Sequence, residues 1–186
     1  GWSAAVTGSG SGYTVTLTGG TAGTVTLTLG ATSVADAAGN SGPSSTSAAA
    51  TVTVDRTAPT ISAFTAPASP SSSATLSYAL TFSESVTGIT AADFSIGGTA
   101  SGWSIDAVTG SGTSYTISLA SASGADGTVV LTIAAGAASD AATNSGPAVA
   151  IDAAAVTVDR NGPTVASFAP TTSSPTKPTS ISYALV

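Results

Sequence analysis

The sequence contains no cysteine, histidine or methionine. Without cysteine the chain can form no disulfide bond, no thiolate nucleophile and no cysteine-based zinc site. Without histidine, no imidazole base is present to activate one of its many serines, which argues against enzyme activity of that kind. Small secreted domains usually depend on disulfides, so an extracellular domain of this composition needs another cross-link, and a bound metal ion is the obvious candidate.

Charge is scarce as well. Charged residues make up 6% of the 186 residues, with nine acidic side chains against three basic ones. Nucleic-acid binding requires a basic surface that faces the phosphates, so this balance disfavours DNA or RNA as a partner. No apolar run approaches the roughly 20 residues that a membrane span requires.

Alanine, threonine, serine, glycine and valine dominate what is there, a composition that disordered segments can share. The apolar residues nevertheless alternate with hydroxyl residues, as β-strands require. Over residues 75–83, one face of the predicted strand carries Leu76, Tyr78, Leu80 and Phe82. The alternation therefore predicts a folded, strand-rich chain.

The chain repeats itself. The motif VTVDR at residues 52–56 returns 104 residues later at residues 156–160, and proline follows within three residues in both copies. Valine and threonine alternate as in a half-buried strand, and proline then imposes an extended backbone. Each copy is interpreted as the last strand of one β domain that leads into the first strand of the next.

This period predicts three pieces. Residues 1–56 are the C-terminal part of one repeat, residues 57–160 are a complete repeat, and residues 161–186 are the N-terminal part of a third. Because neither end falls at a repeat boundary, we expect the sequence to be a window on a longer polypeptide.

The complete repeat is predicted to contain about seven short strands, at residues 60–65, 75–83, 93–96, 103–108, 114–120, 128–133 and 149–158. A glycine-rich turn at residues 110–112 would join two of them as a hairpin. The alanine-rich stretch 134–144 is predicted to be a loop, or at most one helical turn. The predicted fold class is all-β: tandem immunoglobulin-like β-sandwiches of about seven strands each, one complete and two partial.

Four motifs of the complete repeat stand in a familiar order: DRTAP at 55–59, FSESV at 82–86, AADF at 91–94 and ASDAATN at 138–144. In residues 36–40 the first piece carries DAAGN, a closer version of the last motif. The whole chain resembles the bacterial Ig-like repeat domains that build the stalks of large secreted adhesins and biofilm-associated surface proteins. The resemblance implies an extracellular, surface-exposed domain without enzyme activity, in many relatives bound to calcium.

Four acidic residues are predicted to meet at one end of the complete repeat. Asp55 sits at the entry to the repeat, Glu84 ends the second strand with inward parity, Asp93 opens the third strand, and Asp140 lies in the late loop. Such an oxygen-rich group suits Ca²⁺, and without a cation the carboxylates would repel one another. A simpler interpretation stays open, in which Glu84 or Asp93 pairs with Arg56 and Asp140 only caps a turn.

The remaining acidic residues receive other assignments. Asp159 would serve the following junction as Asp55 serves this one, and Asp36 would serve the preceding junction. Asp106, Asp126 and Asp152 are expected at solvated positions on other strands or at the far end.

Two further features invite a ligand. The glycine-rich stretches at 8–12 and 110–112 resemble phosphate-binding loops, but no lysine follows them and strands flank them. Trp2 and Trp103 recur, and they either stack on a sugar or cover the sandwich core, the commoner role of such a tryptophan.

Three functions remain in view. The first is a structural spacer of a bacterial surface adhesin or fibre, with neighbouring repeats as partners and Ca²⁺ stiffening the joints. The second is a self-assembling subunit of an extracellular filament, sheath or surface layer, because weakly charged strand faces leave lateral or end-to-end contact unopposed. A carbohydrate-binding module comes third, and it requires an exposed Trp103.

Overall fold

The computed structural model describes residues 1–122, 125–172, 174 and 179–186. Within these residues the chain is almost entirely β, with nineteen strands and one single-turn 3-10 helix at Ala91–Asp93. The all-β prediction is therefore confirmed. We call residues 1–56 the first piece, residues 57–160 the complete unit and residues 161–186 the last piece.

The first piece is built from strand pairs. Its strands are β1 Trp2–Ser9, β2 Gly12–Gly19, β3 Gly23–Val25, β4 Thr28–Leu29, β5 Val34–Ala35, β6 Ser41–Gly42, β7 Ser47–Ala48 and β8 Val52–Val54. Strands β1 and β2 form an antiparallel hairpin in which Trp2 lies opposite Gly19. The other strands pair as β3 with β8, β4 with β7, and β5 with β6.

The complete unit is a two-sheet sandwich. Its strands are β9 Ile61–Thr65, β10 Thr75–Val86, β11 Phe94–Gly98, β12 Ser104–Ala120, β13 Gly127–Ile133, β14 Ala138–Ser139, β15 Ser145–Gly146, β16 Ile151–Asp152 and β17 Val156–Val158. One sheet has the order β12-β10-β9, and the other joins β11, β16 and β17 to the central β13. Strands β14 and β15 form a separate small ribbon.

The core lies between the two sheets and follows the predicted alternation. From β10 it takes Leu76, Tyr78, Leu80, Phe82 and Val86, and from β13 it takes Val129, Leu131 and Ile133, all nearly inaccessible to solvent. The intervening threonines and serines of β10 face outward. Phe64 and Phe82 pack edge-on against Tyr78 and Tyr115, respectively.

Three details differ from the sequence prediction. The predicted closing strand is interrupted and forms two strands, β16 and β17. Between their pairings with β13, the chain advances four residues along β13, from 133 to 129, but five residues along the closing segment, from 151 to 156. The extra residue is a bulge. The predicted loop at 134–144 contains β14. Residues 104–108 and 114–120, predicted as two strands, both belong to β12.

Strand β12 still folds back at the predicted turn. A Cβ atom added to Gly110 would overlap the carbonyl oxygen of Ser114 and lie 2.8 Å from Cα of Tyr115. Gly8 makes the same approach to Gly12 and Tyr13 in the hairpin of the first piece.

The last piece contributes β18 Phe168–Pro170 and β19 Tyr183–Leu185, which pair antiparallel. The aromatic rings of Phe168 and Tyr183 lie 5.5 Å apart between centroids. Both side chains are exposed, unlike their repeat counterparts Phe64 and Tyr78.

Candidate metal centre

The segment that follows β8 brings Asp55 to the start of the complete unit. The Oδ1 atom of Asp55 accepts a hydrogen bond of 2.9 Å from the backbone N–H of Thr57. The carbonyl oxygen of Asp55 accepts one of 3.3 Å from the Asn144 side chain, which belongs to the late loop. Pro59 is fully buried and lies directly against Gly146. These contacts hold the connector, residues 55–60 between β8 and β9, against the late loop, residues 134–150 between β13 and β16.

Glu84 reaches the same place from β10. It lies between the buried residues Phe82 and Val86, on the same side of the strand, and is itself half-buried. Its pairing register with β12 is broken between Thr81 and Val86, so β10 bends where Glu84 stands. The inward parity predicted for Glu84 is therefore what positions it.

Asp140 is fixed by its own loop between β14 and β15. It is only 6% exposed. Its Oδ1 accepts hydrogen bonds of 2.8 Å from the backbone N–H groups of Ala142 and Asn144, and its Oδ2 accepts one of 2.8 Å from the Asn144 side chain. Asp140 thus does cap a turn, and the same turn fixes the direction of its carboxylate.

These three carboxylates form one group. One ligand oxygen each from Asp55, Glu84 and Asp140 lies within 4.8 Å of the other two. Two oxygens bound to one Ca²⁺ at 2.3–2.6 Å can be no more than about 5.2 Å apart. The spacing therefore fits a single hard cation, with water and carbonyl oxygens completing its coordination.

The electrostatics of the group also favour a cation. Burial first, and then the charges of Asp140 and Asp55, raise the pKa of Glu84 above its ordinary value. The hydrogen bond from the Asn144 side chain, assisted by nearby backbone N–H groups and opposed by burial, lowers the pKa of Asp140. Asp140 is therefore held ionised, and Glu84 carries the cost of burial and then of like-charge crowding.

The structure does not bring Asp93 into the group. Its Oδ2 accepts hydrogen bonds of 2.7 Å from the backbone N–H of Thr90 and 2.8 Å from the Thr90 hydroxyl. Asp93 ends the 3-10 helix just before β11, and these local bonds take its carboxylate. Arg56 does not face the acidic group either, because its guanidinium lies over the ring of Trp2, 5.7 Å from the centroid.

Asp36 and Asp159 repeat the local geometry at the neighbouring positions. Asp36 accepts hydrogen bonds from the Ala38 and Asn40 backbone and from the Asn40 side chain, as Asp140 does in its loop. The Asn40 side-chain bond is the main cause that lowers the pKa of Asp36. Asp159 accepts from the backbone N–H of Asn161, as Asp55 does from Thr57.

Sequence reasoning missed the opposite end of the complete unit. Arg160 lies over Trp103, 5.3 Å from the ring centroid, and its backbone N–H donates to Asp126 at 2.9 Å. The Asn161 side chain also donates to Asp126. Asp126 and Asp152 are exposed, as expected. Asp126 nevertheless also holds the exit of the unit, and Asp152 accepts a 2.6 Å hydrogen bond from the Thr132 hydroxyl. The available signal was that arginine and tryptophan recur together.

Replacing Glu84 with glutamine should stabilise the metal-free protein near neutral pH. The raised pKa of Glu84 in the folded state means that protonated Glu84 favours folding and ionised Glu84 disfavours it. The stability that the protonated form contributes is therefore lost as the pH rises through the folded-state pKa. Thermal melts in chelator should give Glu84→Gln a higher Tm than the unaltered chain at pH 7. The difference should disappear well below pH 4.5, the ordinary pKa of the group.

Asp140→Asn is the matched opposite. The lowered pKa of Asp140 contributes stability above its ordinary pKa of 3.8 that is lost as the pH falls through the folded value. This variant should therefore melt at a lower temperature at pH 7. Equal melting of both variants and the unaltered chain would show that neither the surroundings of Glu84 nor the loop hydrogen bonds of Asp140 affect stability.

The two-sheet sandwich with an acidic group at one end defines the class of this protein as an immunoglobulin-like β domain. A scan against protein families matches residues 55–158 to the family described as bacterial Ig-like domain. The chain belongs to this family. Separate searches of curated proteins and of solved structures give no match. Within the described residues, no helix is long and apolar enough to cross a membrane.

Proposed function

We propose that the chain is a structural spacer: tandem bacterial Ig-like repeats that project another part of a secreted surface protein away from a bacterial cell. The observation that carries this proposal is the meeting of Asp55, from the connector, with Glu84 and Asp140 of the complete unit. A connector tied to the body of a repeat limits bending at the joint. The role requires no catalytic group.

Calcium is the cation proposed for this joint. All three ligands are carboxylates, which Ca²⁺ prefers, and extracellular calcium modules bind with Kd of about 10⁻⁴–10⁻³ M. Burial, and then repulsion by Asp140 and Asp55, raises the pKa of Glu84, and bound Ca²⁺ would offset both costs. It would thereby stabilise the position of Asp55 against the unit.

Asp36 and Asp159 are proposed as ligands at the adjoining joints. Asp36 has the loop hydrogen bonds of Asp140, and Asp159 has the turn hydrogen bond of Asp55. Each would supply one part of the same three-carboxylate group, with the other parts donated by neighbouring repeats. The joint would then recur along the array.

Neighbouring repeats are also the proposed partners of the two partial pieces. In the first piece an apolar cavity of about 230 Å³ is lined chiefly by Trp2, Leu17, Val25, Leu27, Val52 and Val54. The counterparts of the last five in the complete unit, Leu119, Val129, Leu131, Val156 and Val158, are at most 1% exposed, because the opposing sheet covers them. Strands equivalent to β9 and β10 of the complete unit would cover this cavity.

End-to-end assembly of separate chains is a second candidate. In the last piece Phe168, Tyr183 and Leu185 are 60–69% exposed, and they match the core positions Phe64, Tyr78 and Leu80. A last piece from another copy would offer apolar strands that pack over the cavity of the first piece. Analytical ultracentrifugation distinguishes the candidates, because this assembly predicts concentration-dependent polymers and the spacer predicts monomers.

The half-buried position of Trp103 weighs against a carbohydrate-binding platform. The residue packs against the core, and Arg160 covers its ring. A sugar would have to displace the guanidinium before it could stack on this face.

Spin-label distances can test the spacer proposal directly. Because the chain has no native cysteine, labels at Thr14→Cys in the first piece and Thr116→Cys in the complete unit are unique, and both positions are exposed. Calcium should narrow the distance distribution between the labels, since it fixes the connector on the complete unit.

Two charge-matched variants complete the experiment. Asp55→Asn should abolish the narrowing, whereas Asp106→Asn, an exposed acid outside the group, should preserve it. A distribution equally broad with calcium and with chelator in the unaltered chain would contradict a calcium-stiffened joint.

A further inference from the structure

We infer that each joint has a second, metal-independent half, in which the arginine of the VTVDR motif is latched onto the tryptophan of the unit that precedes the joint. The inference concerns Arg56 on Trp2 and Arg160 on Trp103. The role of these contacts in a joint rests on the proposed spacer function. The contacts themselves involve neither calcium nor the acidic group.

The first latch closes on the hairpin of the first piece. The guanidinium of Arg56 lies 5.7 Å from the centroid of the Trp2 ring, and its Nη2 donates a 3.1 Å hydrogen bond to the carbonyl oxygen of Gly19. Trp2 and Gly19 are paired across β1 and β2 at the open end of the hairpin, so one guanidinium contacts both strands. This combination of a stacked face and a directed N–H suits arginine and not lysine.

The second latch has the same design at the exit of the complete unit. Arg160 lies 5.3 Å from the ring centroid of Trp103, and its Nη2 donates a 2.9 Å bond to the carbonyl oxygen of Ser73. The Nε of Arg160 and the indole Nε1 of Trp103 are both shielded from solvent. A desolvated cation over an indole face is a favourable contact.

The recurrence is informative because basic residues are rare here. The chain has three lysine and arginine residues in total, and two of them occupy this position. Their surroundings differ, since Asp126 holds the backbone of Arg160 and its counterpart in the first piece is Ala22. The stack is therefore the feature that the two ends share.

The fit of Trp2 into the first latch depends on a glycine. A Cβ atom added to Gly20 would overlap the indole ring of Trp2. Gly20 also has a φ of +72°, in the left-handed region. The bare backbone at this position leaves room for the ring beneath Arg56.

Two adjacent residues of the connector thus contact the two different units that it joins. Asp55 joins the acidic group of the complete unit, while Arg56 is held by the first piece. Successive side chains of extended backbone point to opposite faces, so the pair DR can engage both neighbours at once. The latch keeps the connector seated on the preceding unit, and the carboxylates join it to the following one.

The test is an NMR experiment on the full chain in chelator. The two tryptophans give two indole N–H signals, and each arginine variant should perturb only one of them. Arg56→Gln should shift the Trp2 signal and leave that of Trp103, and Arg160→Gln should do the reverse. In Arg56→Gln, the ratio of connector bound to the first piece over connector detached from it should fall about two- to fivefold. This fall would be measured as greater fast mobility of residues 55–57.

Glycine variants provide an independent arm. Gly20→Ala should move the Trp2 indole signal and mobilise residues 55–57, whereas Gly10→Ala should do neither. Gly10 is the matched control because its φ of +62° is similar and its Cβ position is open. Unchanged indole signals and unchanged connector mobility in Arg56→Gln would overturn the inference. Because calcium is absent throughout, this result is independent of the calcium proposal.

Discussion

Replacing Gly146 with alanine should destabilise the complete unit by about 1–3 kcal/mol, the usual effect of forcing extra volume into a packed site. The added Cβ would overlap the carbonyl oxygen of Pro59 and lie 3.1 Å from its Cγ. Pro59 is fully buried and Gly146 belongs to β15, so neither backbone can withdraw easily. Denaturant unfolding of the full chain measures the loss.

Gly42→Ala is the matched control for this substitution. Gly42 holds the same repeat position in the first piece, precedes a proline in the same way, and has open space at its Cβ position. Its substitution should leave stability nearly unchanged. Equal effects of the two variants would show that the contact with Pro59 does not hold the connector.

Gly146→Ala should weaken calcium binding as well. The contact between Pro59 and Gly146 lies beside the hydrogen bond from Asn144 to Asp55, and together they hold the connector against the late loop. Displacement of the connector would move Asp55 away from Asp140.

Calcium should produce the second large effect, a stabilisation of the complete unit. With Kd of about 10⁻⁴–10⁻³ M, about 10 mM Ca²⁺ stabilises the folded state by about 1.4–2.7 kcal/mol through mass action. For a domain of this size, that corresponds to a rise in Tm of roughly 5–20 °C. Differential scanning calorimetry in calcium and in chelator measures it.

Two controls make the calcium effect specific. Glu84→Gln should lose most of the calcium-dependent rise, and Asp106→Asn should keep it. Mg²⁺ at the same concentration should have a smaller effect, because it demands near-ideal octahedral geometry and gives up water reluctantly. A Tm that calcium raises equally in both variants would place the binding elsewhere.

Much of the fold was predictable because strand periodicity is a local signal. The alternation from Leu76 to Phe82 identified both the strand and its inner face, and the same parity placed Glu84 inward. The interruption of the closing strand was not predictable. It arises from the register in which β16 and β17 pair with β13, which is a long-range property.

The candidate site was predicted in part for a similar reason. Asp55 and Asp140 flank strands whose ends meet in any such sandwich, so topology brings them together. Chain position alone places Asp93 near the group, but local hydrogen bonds from Thr90 take its carboxylate. Thr-Ala-Ala-Asp at residues 90–93 has the spacing of a helix-capping box, and this signal was present in the sequence.

The Arg–Trp contacts could not be derived from spacing. Arg56 follows Trp2 by 54 residues and Arg160 follows Trp103 by 57, so no fixed interval marks the pair. The contact depends on how the hairpin and the closing strand meet in three dimensions. Only the joint recurrence of the two residue types could have suggested it.

The calcium-stiffened joint requires a cation among the carboxylates of Asp55, Glu84 and Asp140. Crystals of the chain grown in calcium would reveal this ion by its anomalous diffraction. We expect a calcium peak about 2.3–2.6 Å from an oxygen of each carboxylate. Crystals in which the three carboxylates lie apart, or lie together with only water between them, would contradict it.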